Sequence, residues 1–362
     1  MYFGLSEEQT FFQDNVKKFL VDQAPLDVIR QITAEKNTDI QEEIRQGLTN
    51  LGLNALLIPE DYGGLGLDLL FAAAVSEGLG SGVAPIAFTG SYVMAPLAIM
   101  HGGSDVQKEN YLTKISSNTV KFGIGLSEYI GAREDAELII NGNKVNGKAL
   151  FVIDADDASH FILSDDQGTM FIVDADDSGL EVIELTSVDK TRSYVEILLK
   201  NVTAEILDNT VKNNNAIEKT IDAGRIMLAA DSVGAAQVMI DKSVEYAKER
   251  KQFGRVIGSF QAVKHMCAEM TAELEPCYAI VWHAAHCFDY IPEEARLLAC
   301  QSKSHISEVT KMVAKKATEV HGGMGFTDLL GLHYWFKRIG MNRQLLGSPE
   351  LVRDEAGKIQ GF

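Results

Sequence analysis

Cysteine is scarce in this chain, and cationic charge is in deficit. The four cysteines, Cys267, Cys277, Cys287 and Cys300, lie far apart within one region of helical pattern and form no Cys-x-x-Cys spacing. That spacing leads to the expectation of buried free thiols rather than of metal or redox work. Thirty-three Lys and Arg stand against 51 Asp and Glu, a formal net charge of -18. Phosphate binding draws on clustered cations, so nucleic acid is not an expected partner, and the acidic balance itself speaks of solubility. No uninterrupted apolar run approaches the roughly 18 residues of a membrane span. The opening Met1-Tyr2-Phe3-Gly4-Leu5-Ser6 has no basic stretch followed by an apolar core, so a cytoplasmic protein is expected, without membrane association. His265, His305 and His321 fall in separate segments, none within a His-x-x-x-His or Glu-x-x-x-His pair, and read as core or interface histidines. No metal is expected.

What is present is an ordinary globular composition, 46% hydrophobic and 23% charged, in 362 residues. That length exceeds what one core organises and implies two or three lobes. Ser6 and Gln9 form a capping box that opens a helix through Leu20, and helical patterning continues through Ile44, Leu48, Leu51 and the Ala-rich stretch 72–79 to about Leu112. Pro59 to Gly66 interrupts it as a glycine-rich turn; with no strand framing it, a structural turn is the better reading than a phosphate loop. From about Phe122 to Leu207 short apolar runs alternate with turn signals. Glu137–Ile140, Asn141-Gly142 and Lys144-Val145 make a hairpin pattern. Runs at 151–153, 161–163, 170–173, 180–183 and 195–199 predict a small sandwich or barrel. Long helical patterns at 216–251, 260–286, 293–320 and about 332–346 predict a four-helix bundle. The expected fold is α+β, with lobes at 1–120, 121–208 and 209–362.

Two motifs stand out in the last lobe: Arg250-Lys251-Gln252-Phe253-Gly254 leading into Phe260, and Val320-His321-Gly322-Gly323-Met324-Gly325-Phe326. With the lobe order, they resemble the acyl-CoA dehydrogenase family over essentially the whole chain. In that family the flavin lies at a subunit interface and is reached by these motifs from the neighbouring chain. The resemblance implies FAD as cofactor. Arg250 would meet its pyrophosphate as a bidentate fork. Gln252 and Phe253 would lie against the adenosine with Ile257 and Phe260 beside them, and Gly322 and Gly323 would let backbone approach closely. Glu319 stands where the family usually has a glutamine, and an ionised carboxylate cannot donate that hydrogen bond.

The other half of the family's active site is altered. Most members place a proton-abstracting glutamate before a Gly-Thr near the C-terminus; here that position falls on Leu346, or on Gly347 in the adjacent register. Members that carry the acid on the first bundle helix place it before an arginine, and here that pair is Gly224-Arg225. The loop that a chain offers its own flavin is reduced to Leu126-Ser127-Glu128-Tyr129-Ile130-Gly131-Ala132, and the strand that ends in a flavin-binding threonine reads Phe151-Val152-Ile153. The resemblance therefore implies a subunit without its own base that completes the FAD site of a related partner carrying the glutamate. It would act in the α,β-dehydrogenation of an acyl-CoA, in a heterotetramer of two of each chain like the bacterial enzymes that act on steroid side-chain thioesters. Electrons would pass to an electron-transfer flavoprotein, and the lone chain would be inactive. Three alternatives remain open: a self-sufficient dehydrogenase using Asp222, Asp231 or Glu350, a flavin monooxygenase, and a scaffold subunit. Trp335 and Tyr334 beside Lys337-Arg338 read as an interface anchor.

Overall fold

A computed structural model describes residues 4–35, 38–131, 137–211 and 214–362. Six helices come first: α1 (Glu7–Gln23), α2 (Leu26–Glu35), α3 (Thr38–Asn50), α4 (Leu69–Ser81), α5 (Ala95–Gly102) and α6 (Asp105–Ser116). A β region follows, with β1 (Phe122–Gly125), the single-turn α7 (Ser127–Ile130), β2 (Ile139–Asn141), β3 (Lys144–Ile153), β4 (His160–Ser164), β5 (Met170–Asp174), β6 (Leu180–Glu184) and β7 (Tyr194–Ile206). Then come α8 (Asn215–Glu249), the short strands β8 (Lys251–Gln252) and β9 (Arg255–Val256), and the helices α9 (Gln261–Tyr290), α10 (Pro292–His321), α11 (Leu332–Gln344) and α12 (Pro349–Ile359). The fold is α+β, helical at both ends with a β barrel between.

Packing gathers these elements into two compact units. One takes residues within 1–40, 73–84 and 226–362, the other 41–72 and 85–225. In the second unit the strands run β2-β3-β1-β4-β5-β7-β6, and β3 also pairs with β7. The additional pairing closes a ring of five strands, β3-β1-β4-β5-β7, with β2 and β6 attached outside it. Val145, Ala149, Val152, Phe161, Leu163 and Phe171 are among the side chains filling its interior. Closure removes the open edges that the five strands would otherwise expose. The β2–β3 turn lies one residue later than the Asn141-Gly142 pattern suggests. Asn141 pairs with Lys144, so Gly142 and Asn143 form the loop, with positive φ at Gly142. Pro59–Gly66 is a surface turn around one 3₁₀ segment, Glu60–Tyr62.

In the first unit α1 opens on the expected capping box: the Ser6 hydroxyl accepts from the Gln9 amide at 3.1 Å and the Gln9 side chain accepts from the Ser6 amide at 2.8 Å. Helices α4 and α8 cross backbone to backbone. A Cβ on Gly80 would overlap the Asp231 carbonyl, and one on Gly234 would overlap the Glu77 carbonyl, so only glycine permits the approach at either point. The bundle has one helix more than expected. α12 packs Val352 and Ala356 against Cys300 of α10, with an Arg296–Glu355 ion pair alongside at 2.5 Å. Cys277, Cys287 and Cys300 are buried, Cys267 is half-buried, and all four are free thiols.

The expected interface anchor is instead an internal one. Trp335 is buried and its indole N–H donates to the Ser81 carbonyl at 2.8 Å. Arg338 is buried and donates to both oxygens of Asp231, at 2.7–3.1 Å, and to the Ala84 carbonyl at 2.9 Å. Aromatics with arginine look alike in a core and in an interface when only their identities are read.

Candidate functional site

The two motifs of the C-terminal region meet in the first unit. Arg250 directly follows the last residue of α8, and the chain turns back at once through β8 and β9. Gln252 pairs with Arg255, which leaves Phe253 and Gly254 as a two-residue loop with φ of 51° and 77°. Positive φ at both positions is the signature of a type I′ hairpin, but a phenylalanine is a costly occupant of the first. Its side chain is 91% exposed. A bulky ring held in a disfavoured backbone region and presented to solvent is not accounted for by burial within the unit. Phe260, half-buried, meets Phe253 edge-on at 6.1 Å between centroids, and the Arg255 guanidinium lies 4.0 Å from its ring centroid. Arg255 thus joins the cluster, a residue that the motif alone does not mark. Ile257 bonds its amide to the Arg250 carbonyl at 2.7 Å, which fixes the hairpin to the helix end.

The glycine motif is held against this hairpin's helix by a ring stack. Tyr246, one turn before Arg250, stacks on His321, the last residue of α10, with centroids 4.6 Å apart. His321 is buried, its Nδ1 lies 2.7 Å from the Ala317 carbonyl, and burial pushes its pKa down. Through that stack it packs the end of α10 against α8. Directly after it, Gly322 adopts φ 58°, ψ -140°, a combination open in practice to glycine alone. A Cβ on Gly322 or Gly323 would meet nothing within 4 Å, so neither glycine is required by packing within the chain. Arg250, Gln252, Glu319, Gly322 and Gly323 are all exposed.

The segment around Leu346 is tightly held. Buried Lys303 of α10 donates to the carbonyls of Asn342 and Arg343 at the end of α11, opposing the helix's negative pole. Leu346 and Gly347 both take positive φ, 57° and 104°. Arg343 donates to Glu308 at 2.7 Å and to Glu350 at 2.8 Å. Glu350 stands in the first turn of α12, where its hydrogen bonds with its own amide and with Ser348, then Arg343, hold the carboxyl down at about 2. Asp231 accepts from Arg338 and, at 2.6 Å, from Asn342.

In the second unit Gly224 is buried within α8, and buried Asp222 lies 3.9 Å from Arg225. The Ser127 hydroxyl is turned into the protein and donates to the Leu150 carbonyl, while both Glu128 oxygens accept from the Leu138 amide at 2.9–3.0 Å. Ala132 of that loop lies outside the described residues. At the end of β3, Phe151 has φ 52° and is 42% exposed, whereas Ile153 is buried with its Cγ1 3.1 Å from where a Cβ on Gly90 would sit.

Next to it, Asp154 is buried and accepts from the amides of Gly90 and Ser91 in the π-helical turn 89–94. Burial pushes its carboxyl up to about 6, against the pull of those amides and of Arg192. A folded-state value above the ordinary 3.8 means that the native protein binds this proton more tightly than the unfolded chain. Its contribution is therefore greatest below about pH 4 and is lost as pH rises through about 6. Asp154→Asn, whose carbonyl oxygen can keep the two amide bonds, is expected to abolish that slope and to be more stable than the parent at pH 8 by on the order of 2 kcal/mol. Urea midpoints of both proteins across this range check it; equal slopes would show that Asp154 is not the titrating group.

Comparison with known proteins places the chain. Residues 6–119 match the model of the acyl-CoA dehydrogenase N-terminal domain, and 214–359 that of the C-terminal domain. The chain is 30% identical to a probable acyl-CoA dehydrogenase, YngJ, of Bacillus subtilis (strain 168), over 98% of each chain. It belongs to the acyl-CoA dehydrogenase family. Acyl-CoA dehydrogenase IpdE2 of Mycolicibacterium smegmatis is 26% identical over 97% of this chain and 99% of its own. Among solved structures, a variant of the Tcur3481-Tcur3483 steroid ACAD superposes with a TM-score of 0.88 at 26% identity, covering 98% of each chain.

FAD is the cofactor of acyl-CoA dehydrogenases, and the two units offer it unequal fits. The Arg250 hairpin and the Gly322-Gly323 turn present an unshielded guanidinium, an aromatic face and open backbone, which suit a dinucleotide lying against the surface. The β3 end offers buried Ile153 without a hydroxyl, and Ser127 spends its own on Leu150. No helix among the described residues is long and apolar enough to cross a membrane.

Proposed function

We propose that this acyl-CoA dehydrogenase family chain is the subunit of a hetero-oligomer that completes the FAD site of a related partner and leaves the proton-abstracting base to that partner. The single observation that carries this reading is the exposed Arg250–Phe260 hairpin, with Phe253 in a left-handed conformation and 91% accessible, joined to the open glycine turn by the Tyr246–His321 stack. A surface built at conformational cost, its Phe253 ring meeting Phe260 edge-on and still largely open to solvent, fits a cofactor held by another chain. One chain cannot complement itself if it grips its neighbour's FAD but holds none.

The acids offered by the alternative of self-sufficiency are otherwise engaged. Asp231 lies in a buried ion pair, and Glu350, paired with Arg343 and held at about 2, is a weak base. Leu346, Gly347 and Gly224 cannot accept a proton.

In this reading the substrate is an acyl-CoA thioester and the product its 2-enoyl counterpart. The partner's carboxylate removes the α-proton. When bound, FAD supplies the acceptor for the β-hydride. This chain binds and orients: Arg250 meets the pyrophosphate, Gln252 and Phe253 the adenosine with Ile257 and Phe260 behind them, and the backbone of Gly322-Gly323 closes around it. Glu319, ionised, accepts rather than donates there. Similarity to the Tcur3481-Tcur3483 steroid ACAD supports pairing with a related chain and a bulky acyl group. Resemblance to the caffeyl-CoA reductase-Etf complex subunit CarC of Acetobacterium woodii, 29% identical over 90% of each chain, supports an electron-transfer flavoprotein as the electron acceptor. Two copies of each chain make the proposed assembly.

The test compares flavin absorbance per polypeptide for this chain alone and for the chain purified with a family partner that carries the glutamate. The expected result is a colourless lone chain and a yellow complex with one flavin per pair. Stoichiometric flavin in the lone chain would overturn the proposal.

A further inference from the structure

A cluster of unlike side chains at the α9–α10 corner has no part in the flavin site. His283 and Cys287 are four residues apart on α9 and so share one of its faces. The chain reverses within one residue, Ile291: its amide donates to the Cys287 carbonyl at 3.0 Å, and the Glu294 amide donates to the Ile291 carbonyl at 3.0 Å. Pro292 fixes the first position of α10. This tight corner brings Glu294, in the first turn of α10, back onto the face that carries His283 and Cys287. An imidazole nitrogen, the Cys287 sulfur and a Glu294 oxygen then all lie within 4.8 Å of one another.

We propose that His283, Cys287 and Glu294 form a binding site for a zinc-class divalent cation that pins the end of α9 to the start of α10. Imidazole, thiolate and carboxylate are the three ligand types that zinc takes, whereas calcium and magnesium refuse the sulfur. Ligand bonds of about 2.0–2.3 Å in a tetrahedron put the donor atoms roughly 3.5 Å apart, so the three donors draw together by about 1 Å on binding the ion. Cys287 is buried, His283 half-buried and Glu294 exposed, so the cluster has a side open to solvent through which an ion can enter. Binding releases the Cys287 thiol proton to solvent and leaves a thiolate on the metal. The pattern escapes a search for paired histidines, because only one ligand is a histidine and the third comes from the next helix.

Cobalt(II) titration of the tag-free, chelator-treated full chain, purified with its partner if it requires one for solubility, tests this. The expected result is saturation at one cobalt per chain with a thiolate-to-cobalt charge-transfer band in the near ultraviolet, reversed by zinc. Cys287→Ser should abolish the band, Glu294→Gln should weaken affinity roughly 10-fold or more, and Cys277→Ser should leave the band unchanged. A band that persists in Cys287→Ser, or the absence of saturable binding in the parent, would overturn the assignment. Because Glu294 is exposed, Glu294→Gln keeps the fold intact and the test readable even if Cys287→Ser fails to fold.

Discussion

Arg338→Met is expected to destabilise the protein by about 3–5 kcal/mol, one of the largest effects of any single substitution. The reason is the company Asp231 keeps. Arg338 and Asp231 are both buried, and three N–H···O contacts of 2.7–3.1 Å join them. The remaining guanidinium donor Nη1 reaches the Ala84 carbonyl, and Asn342 supplies a further donor to Asp231. Methionine preserves much of the side-chain length but strands a carboxylate inside the bundle with one amide for company. Removing both charges is a different matter, since a buried pair repays its desolvation only in part. The double variant Asp231→Leu/Arg338→Met should recover most of the loss. Chemical denaturation of the parent, single and double variants checks the argument. A single variant within 1 kcal/mol of the parent would mean that the pair is not buried as described. The same geometry bears on chemistry, because a carboxylate so fully engaged is poorly placed to move toward a substrate proton.

Much of the helical framework was legible because its signals are local. The Ser6/Gln9 capping box needs only four consecutive residues to be recognised, and it is formed. The β region was legible in kind but not in detail. β3 runs unbroken from Lys144 to Ile153, yet register shifts between Val145 and Gly147 and between Ala149 and Val152 disturb the alternation of inward and outward residues. A bulged strand therefore reads as two short runs. The closing β3–β7 pairing joins segments that no local pattern connects. Helix α12 was signalled by Ser348 followed by Pro349, an N-cap and a first-turn proline, but a short helix so close to the end reads easily as a tail. In the candidate site, the residue types of both motifs could be read. The Tyr246–His321 stack that gathers them, and the Arg255–Phe260 contact, depend on how helices pack and leave no periodic trace. The same holds for Asp154, whose altered titration comes chiefly from burial, with Asp156 adding a smaller push in the same direction.

Arg250→Ala should weaken flavin retention by the paired complex roughly 100-fold while leaving the stability of the lone chain unchanged within about 0.5 kcal/mol. The two halves of this expectation rest on different observations. Arg250 is exposed, and its contributions to the chain's own fold are made by its backbone: its amide donates to the Tyr246 carbonyl at 2.8 Å and its carbonyl accepts from Ile257 at 2.7 Å. Alanine keeps both. The guanidinium, by contrast, is proposed to be spent on the pyrophosphate, where a planar fork makes two charge-assisted hydrogen bonds that no smaller side chain replaces. Arg250→Lys should fall between, since an ammonium restores the charge but not the bidentate geometry. Flavin release from the complex, followed by fluorescence after dilution, measures the effect directly, with melting of the lone variants as the folding control. Unchanged retention in Arg250→Ala would favour a scaffold subunit, because the hairpin would then touch no cofactor. Loss of flavin together with a destabilised lone chain would instead assign Arg250 a structural role. Only retention lost with folding intact is the signature of a residue that this chain carries for its partner's cofactor.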